Sequence, residues 1–373
     1  MLIAGWWCLL TDCLLAGCVD YDGEELPRRE RPEEPLFVRS LTRTDADGML
    51  KTLDGMGIYV MMLSENNSTA PATPVRQTGS VTYGGNVAGQ DLWNSTLTVK
   101  AETQYRLFGF MPADITTATD AGDMPSVAVN SGQTQATMVI SKMAVVSDRD
   151  VCAIIGVKDP VAQTAPITPG AFGYTATYHT DPTLGNGYFV ALKADHLYAA
   201  VDFRFQVAAE YSRLRKIVLK QLWLKSPFPA EFQAQITLNM ATEGAPVASD
   251  AAVISNIGWT PAAPGTDSVK AKVLDVREGV ELTGTAADIR AVGYVAPDFT
   301  GGLTIESVYD IYDLHGNLLR KDCHAQNNIA SRVNGTVAAY PKLKRGEKRV
   351  ITLTVKPSYL YVLGDEDPEP EIE

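Results

Sequence analysis

The chain has 373 residues, of which 45% are hydrophobic and 20% are charged, an ordinary composition for a globular protein. Its net charge of −12 at pH 7 argues against nucleic acid as a partner, because a phosphate backbone attracts clustered Lys and Arg side chains. The length is sufficient for two domains of ordinary size.

The first eighteen residues form a short apolar run that ends in Leu15-Ala16-Gly17-Cys18. An apolar segment that closes on small residues before a cysteine is typical of a lipoprotein signal peptide. Asp12 interrupts the run, and no Lys or Arg precedes Arg28. We expect residues 1–17 to be removed and Cys18 to be lipidated. The alternatives are a buried N-terminal helix with an incidental cysteine and a permanent membrane span, for which the run is short.

A charged, proline-rich segment follows Cys18 and cannot bury enough apolar surface to fold alone, so we expect it to be a tether. It leads into a short apolar patch at residues 36–38, which is followed by Arg39 and Arg43. From this pattern alone the patch is a continuation of the linker.

From about Gly48 onward, short apolar runs alternate with segments rich in Gly, Pro, Asn, Asp and Thr, which is typical of strands and turns. In residues 201–207, hydrophobic and polar residues alternate with a period of two, so we expect one face to be buried and the other to be wet. Similar runs predict further strands at 57–63, 96–100, 104–110, 235–240 and 350–356. His315-Gly316-Asn317 predicts a hairpin turn.

Helical signals are confined to one or two turns at 195–200 and 209–214. The sequence therefore predicts an all-β fold of two consecutive β-sandwich domains, of Greek-key or transthyretin-like type, behind a lipoprotein leader. We place the domains at 44–225 and 226–373, with the boundary between about 205 and 255, and expect the acidic tail at 364–373 to fray.

The sequence contains no catalytic or phosphate-binding motif, and its four histidines lack metal-ligand spacing. We therefore expect no enzymatic activity, no cofactor and no metal. Cys152 and Cys323 could form one disulfide or remain two buried thiols. His324 follows Cys323, but neighbours in a strand point to opposite faces, so a Cys–His pair is not implied.

Two further groups of residues each have a structural and a functional interpretation. Asp310 and Asp313 could form a carboxylate pair, although acids beside a turn are commoner. Three tryptophans could stack on sugars, although core packing is the better interpretation for each: Trp93, Trp223 and Trp259.

The order of these blocks, together with the segment ending in Cys18, resembles the fimbrillin (FimA/Mfa-like) family, the type V pilus subunits and related surface lipoproteins of Bacteroidales-type bacteria. The blocks that carry the resemblance span most of the chain: Ile58-Tyr59-Val60, Trp93, Tyr105-Arg106-Leu107-Phe108-Gly109-Phe110-Met111-Pro112, His196-Leu197-Tyr198, Tyr309-Asp310-Ile311-Tyr312 and Tyr359-Leu360-Tyr361.

The resemblance implies assembly at the cell surface and not catalysis. It implies a lipid anchor in the outer membrane through Cys18 and a trypsin-like protease that cuts after an arginine, for which we choose Arg43 and then Arg39. Residues 18–43 would then be a lipidated tether and a removable first strand, formed by about 35–41. The opened groove would accept a strand from another pilus subunit.

Two points remain open from the sequence. The donor strand could be 350–363, or that stretch could be the chain's own last core strand, as expected of a tip subunit that only accepts. The alternative function is a monomeric outer-membrane lipoprotein that binds carbohydrate or another ligand on a β-sandwich face.

Overall fold

The structure is a computed structural model, and it describes residues 33–43, 57–63, 74–87, 90–100, 104–112, 125–131, 135–157, 174–175, 177–181, 185–226, 230–239, 257–261, 270–299, 302–329, 331–333, 336–338, 342–357 and 370–372. The chain divides into two units, Met1–Pro32 and Glu33–Glu373, and every described residue belongs to the second. The predicted leader and its lipidation residue Cys18 therefore lie outside the described residues.

Strands dominate the described residues, and the only helix among them is short. The strands up to residue 196 are β1 (Glu33–Arg43), β2 (Gly57–Leu63), β3 (Pro74–Val87), β4 (Gln90–Ser95), β5 (Thr98–Lys100), β6 (Gln104–Met111), β7 (Ser126–Val129), β8 (Gln135–Ala144), β9 (Val146–Ser147), β10 (Cys152–Val157), β11 (Tyr174–Thr175), β12 (Thr177–Asp181) and β13 (Gly185–His196).

The remaining elements continue in chain order from residue 199. They are β14 (Ala199–Val207), the helix α1 (Ala209–Ser212), β15 (Lys216–Lys225), β16 (Ala230–Asn239), β17 (Ile257–Pro261), β18 (Lys270–Leu282), β19 (Ala287–Val295), β20 (Leu303–Tyr312), β21 (Leu318–Ile329), β22 (Ser331–Val333), β23 (Thr336–Ala338), β24 (Lys348–Pro357) and β25 (Pro370–Ile372). The all-β class and the hairpin at 315–317 are confirmed.

The described strands form four larger sheets and one small pair. A ten-stranded sheet has the order β12-β13-β10-β6-β2-β3-β4-β1-β5, with β11 beside β6. A four-stranded sheet has the order β17-β16-β8-β7. The later part of the chain supplies most of a five-stranded sheet, β25-β24-β14-β19-β9, and of a four-stranded sheet, β18-β15-β20-β21, while β22 pairs with β23.

The last two of these larger sheets pack face to face. A methyl group added to Gly293 of β19 would lie 2.8 Å from Leu224 Cδ2 of β15 and 3.0 Å from Val273 Cγ1 of β18. Glycine therefore permits a close approach of the two layers at this point. Buried side chains from both layers belong to one hydrophobic cluster, which also extends to Phe108 and Phe110 of β6.

β14 follows the predicted alternation on its apolar face but not on its polar face. Four side chains of the apolar face are buried: Val201, Phe203, Phe205 and Val207. The expectation of a wet polar face is wrong at Asp202, which is only 4% exposed. β14 lies between β24 and β19 in the interior of its sheet, and Lys348 Nζ, 3.3 Å from the Asp202 carboxylate, offsets the buried charge.

The two predicted helical turns have different outcomes. The turn predicted at 209–214 is present as α1. The turn predicted at 195–200 is wrong, because these residues end β13 and begin β14. His196 lies opposite Cys152 of β10, and Ala199 lies opposite Val295 of β19. These ladders outweigh a weak local preference for helix.

Strand pairing crosses the predicted domain boundary at 225/226. β14 and β15 precede the boundary and pair with β24 and β20, which follow it. β16 follows the boundary and pairs with β8 in the earlier part of the chain. The division into domains at 44–225 and 226–373 stays a prediction.

An ion pair and a backbone hydrogen bond to the same carboxylate join three strands of the four-stranded sheet that contains β20. Asp310 of β20 is 2% exposed. Its carboxylate lies 2.6 Å from Lys220 Nζ of β15, and its Oδ1 accepts a hydrogen bond of 2.8 Å from the backbone N–H of Asp322 in β21. Burial by itself would raise the pKa of Asp310, but the hydrogen bonds from Lys220 and Asp322 outweigh burial and lower this pKa below its usual value.

We expect Asp310→Asn to lower the free energy of unfolding by about 2 kcal/mol at pH 7, because the substitution removes a charged hydrogen-bond acceptor from a buried site. The pKa of Asp310 is depressed in the folded state, so its contribution is present above the ordinary Asp pKa of about 4 and is lost as pH falls through the folded value. Urea unfolding at pH 7 and at pH 3 measures this effect. The free energies of unfolding of the variant and the wild type should differ less at pH 3 than at pH 7.

Asp275→Asn is the matched control for this measurement. The Asp275 side chain is 54% exposed and pairs with Lys272 at 2.9 Å, so its loss should cost less than about 1 kcal/mol. The role assigned to Asp310 would be contradicted if the two variants lost the same free energy of unfolding. It would also be contradicted if the difference between Asp310→Asn and the wild type were the same at pH 3 as at pH 7.

Candidate strand-exchange site

β1 is the first described strand, and it pairs with other strands on both of its sides. On one side it runs parallel to β13 over seven residue pairs between Leu36 and Arg43. On the other side, residues 33–35 run antiparallel to β5, and Val38 lies opposite Trp93 of β4. A strand is thus present where the sequence predicts one, and it extends further at both ends than the predicted 35–41.

β1 also closes a circuit of strand pairings within the ten-stranded sheet. Neighbouring strands lead from β13 through β10, β6, β2, β3 and β4 to β1, which pairs again with β13. If β1 were absent, β13 and β5 would each present unpaired N–H and C=O groups along the vacated edge. Such an edge is a template for the addition of another strand.

Leu36 anchors β1 in the protein interior. Its side chain is 0% exposed, and its N–H donates a hydrogen bond of 2.9 Å to the carbonyl oxygen of Leu97. Leu97 and Val99 are also buried. Glu33, at the start of the same strand, is exposed and accepts a hydrogen bond of 3.2 Å from the Thr98 hydroxyl. β1 therefore combines a buried apolar contact with a polar, solvent-facing end.

The two arginines predicted as cleavage sites occupy different places in β1. Arg43 is the last residue of the strand and lies opposite Ala194. Arg39 lies in its interior, where the register with β13 shifts between Val38 and Ser40 and leaves Arg39 without a Cα partner in that strand. To reach the peptide bond after Arg43, a protease would therefore have to separate fewer residue pairs of the ladder between β1 and β13 than it would to reach the bond after Arg39.

The stretch predicted as a donor strand is largely part of the chain's own sheet. β24 runs parallel to β14 over eight residue pairs, and its Leu353 and Val355 are buried. The rest of the predicted stretch, 358–363, lies outside the described residues.

Asp310 and Asp313 have separate roles. Asp313 Oδ1 accepts hydrogen bonds from the backbone N–H groups of His315 and Asn317, at 2.9 and 2.8 Å, and so stabilises the hairpin turn. Asp310 forms the buried ion pair described above. The two acids therefore do not act as one carboxylate site.

The tryptophans give no open stacking surface within the described side chains. The half-buried Trp223 ring has Lys270 Nζ and Lys272 Nζ at 5.2 and 5.5 Å from its centroid. These ammonium groups lie over the ring where a sugar would stack. The side chains of Trp93 and Trp259 lie outside the described part of the structure.

Cys152 and Cys323 are both free thiols; Cys152 is buried and Cys323 is half-buried. Cys152 instead lies beside Asp150 and His196 in a buried cluster that the sequence analysis missed. The signal in the sequence was the spacing of Asp150 and Cys152, which places alternate residues of an extended segment on one side. The third member is forty-four residues from Cys152, and only strand pairing brings it close.

No helix among the described residues has the length and apolar character needed to cross a membrane. No protein-family model matches the sequence, and no curated protein matches it significantly.

Solved structures similar to this chain are fimbrial and candidate cell adhesion proteins, at low identity and nearly full coverage. A fimbrial protein from Bacteroides vulgatus is 15% identical, covers 91% of this chain and 98% of its own, and has a TM-score of 0.36. A candidate cell adhesion protein from Bacteroides fragilis is 11% identical. The match covers 92% of this chain and 97% of that protein, with a TM-score of 0.40. The tip fimbrial protein Mfa3 from Porphyromonas gingivalis, truncated at its C-terminus, is 11% identical. The match covers 91% of this chain and 99% of that protein, with a TM-score of 0.28.

We expect Leu36→Ala to lower the free energy of unfolding by about 2–4 kcal/mol, because a fully buried leucine leaves a cavity when truncated. Glu33→Ala, in the exposed part of the same strand, is the matched control and should change it by less than about 0.5 kcal/mol. Urea unfolding of both variants measures these changes. If Leu36→Ala were no more harmful than Glu33→Ala, β1 would not be packed into the domain as described.

Proposed function

We propose that this protein is a fimbrial (type V pilus) subunit that contributes to cell adhesion. In this proposal it is exported as a lipoprotein, matured by cleavage after Arg43 and assembled by strand exchange with other subunits. The observation that carries the proposal is β1, the first described strand, which closes a circuit of pairings and ends at an arginine. The description of the similar structures as fimbrial and cell adhesion proteins agrees with this role, while the proposal itself rests on β1.

Removal of β1 would leave a domain with a strong tendency to bind a replacement strand. The ladders with β13, β4 and β5 correspond to roughly ten backbone hydrogen bonds, each of which contributes about 1 kcal/mol net. Burial of Leu36 contributes about 2 kcal/mol more. A total loss of about 12 kcal/mol is comparable to the whole stability of an ordinary domain. The cleaved subunit would therefore bind a strand from a neighbour, which restores the lost contacts.

The vacated groove would select its replacement strand in two ways. The unpaired edges of β13 and β5 supply main-chain hydrogen bonds to any extended segment. The pocket that Leu36 fills requires an apolar side chain at one position of the incoming strand, because alternate side chains of an added strand enter pockets. A segment without an apolar residue at that position would bind weakly.

The placement of β24 bears on which partner supplies a strand. Residues 348–357 contribute buried side chains and eight residue pairs to the chain's own sheet, so their donation would dismantle that sheet. The proposal therefore treats 348–357 as a strand of the chain's own sheet. This arrangement is the one expected of a tip subunit that accepts a strand without donating this segment.

The lipid anchor completes the proposed pathway. Lipidation of Cys18 would attach the precursor to the outer membrane, and the charged segment before β1 would act as the tether. Cleavage after Arg43 would break the covalent link between the subunit and its anchor and would allow β1 to leave the groove. A trypsin-like protease is the partner that this cleavage requires.

Limited trypsin digestion of the full chain tests the maturation step. We expect a new N-terminus at Thr44, loss of β1 under native conditions, and oligomers in size-exclusion chromatography. Arg43→Gln should prevent this cut, whereas Arg39→Gln, the matched control in the same strand, should leave it unchanged. Resistance of the wild type at both arginines would overturn the cleavage site. A cleaved protein that loses β1 and remains a stable monomer would overturn strand exchange and favour the monomeric binding lipoprotein.

Lipidation has its own test in cells that process lipoproteins. Cys18→Ala should remain uncleaved at residue 17 and should not incorporate labelled palmitate, because the thiol that carries the lipid is missing. Cys13→Ala, in the same leader, should still be labelled. Labelling of Cys18→Ala at the wild-type level would show that the anchor lies elsewhere.

A further inference from the structure

Three side chains with metal-ligating atoms meet in the protein interior. Asp150, Cys152 and His196 are 3%, 0% and 2% exposed. One ligand atom from each lies within 4.8 Å of those of the other two. Carboxylate, thiolate and imidazole are the three ligand types that zinc binds in proteins.

Strand pairing explains why these residues meet. Cys152 is the first residue of β10, His196 is the last residue of β13, and the two are Cα partners in the antiparallel ladder. Asp150 lies two positions before Cys152, so its side chain points to the same side of the extended chain. The Leu197 N–H donates a hydrogen bond of 2.8 Å to the Val151 carbonyl oxygen, which holds the two segments together beyond the strand ends.

Two of the three distances between the ligand atoms are close to those of a tetrahedral site. Cys152 Sγ lies 3.4 Å from His196 Nδ1 and 3.7 Å from Asp150 Oδ2. In a tetrahedron with ordinary zinc–ligand bond lengths, such pairs are about 3.5 Å apart. His196 Nδ1 lies 2.8 Å from Asp150 Oδ1 and 2.7 Å from Asp150 Oδ2, which are hydrogen-bond distances. A bound zinc ion would replace this hydrogen bond and open the pair by about 0.6 Å.

Charge also favours a divalent cation. A thiolate and a carboxylate together carry two negative charges, which a zinc ion and a neutral imidazole would balance. The Tyr198 hydroxyl donates a hydrogen bond of 2.7 Å to the carbonyl oxygen of Ala144.

We propose that Asp150, Cys152 and His196 form a buried zinc-binding site that fastens the end of β13 to the start of β10. Sulfur, nitrogen and oxygen ligands in a tetrahedral arrangement suit Zn²⁺ better than Ca²⁺ or Mg²⁺, which bind oxygen ligands with higher coordination numbers. A water molecule takes the fourth position of a zinc ion when a protein supplies three ligands. The site is independent of strand exchange, and either proposal can fail without the other.

The burial of the site determines how it must be tested. Because all three side chains are closed to solvent, an ion would enter as the chain folds and would exchange slowly afterwards. The protein should therefore be refolded with the metal present. The leader contains Cys8, Cys13 and Cys18, which could also bind metal and must be replaced by serine in the full chain.

Co²⁺ is the probe, because a thiolate bound to cobalt gives a ligand-to-metal absorption band in the near ultraviolet and tetrahedral Co²⁺ gives intense visible bands. In the serine-substituted chain, Cys323→Ala leaves Cys152 as the last thiol. We expect this variant, refolded with Co²⁺, to show both bands and to lose them when Zn²⁺ is added. A folded Cys323→Ala protein without the thiolate band would overturn the proposal.

Two further variants test the other ligands and the location. Cys152→Ala should abolish the thiolate band, and Asp150→Asn should weaken Co²⁺ binding by about a hundredfold or more. Circular dichroism establishes that each variant has folded. A thiolate band that persists in folded Cys152→Ala would place the metal at Cys323 and overturn the assignment. If Cys152→Ala does not fold, the result for Cys323→Ala decides, because its band can come only from Cys152.

Discussion

The requirement that backbone N–H and C=O groups be paired governs this structure. In an all-β chain an unpaired strand edge can recruit another chain, and here β1 removes that edge by closing the circuit from β13 to β4. The strand that completes this circuit is the first of the described strands and ends at Arg43. Under the proposed function, this strand would protect the precursor from premature association and would control assembly when it is removed.

Buried acids recur in the described sheets, and each is matched by a cationic or hydrogen-bonding partner. Asp202 is paired with Lys348, Asp310 with Lys220, and Asp150 with His196. The first two pairs join neighbouring strands, and the third joins the segment before β10 to the end of β13. Partners of this kind allow a chain with a surplus of acidic residues to bury some of them.

β13 connects the two sites for which functions are proposed. Its residues up to Ala194 form the ladder with β1, and its last residue, His196, belongs to the cluster with Cys152. The register of a strand determines which side chains face the core, so a shift of one residue would turn every side chain to the opposite face of the sheet. A zinc ion at the end of β13 would hold that register while β1 is replaced. The edge that accepts a new strand would then stay in place during exchange.

The sequence by itself determined the all-β class and the hairpin at 315–317, because local alternation and turn residues encode these features. The first strand beside Arg39 and Arg43 followed from the family resemblance and not from local alternation. Only the tertiary structure decided that β1 lies parallel to β13, since ladders between distant segments leave no periodic signal in either one. It also decided that Asp202 is buried, because burial of a polar face depends on which strands flank it. The meeting of Asp150, Cys152 and His196 has the same origin: strand pairing brings together residues that are forty-six positions apart in the sequence.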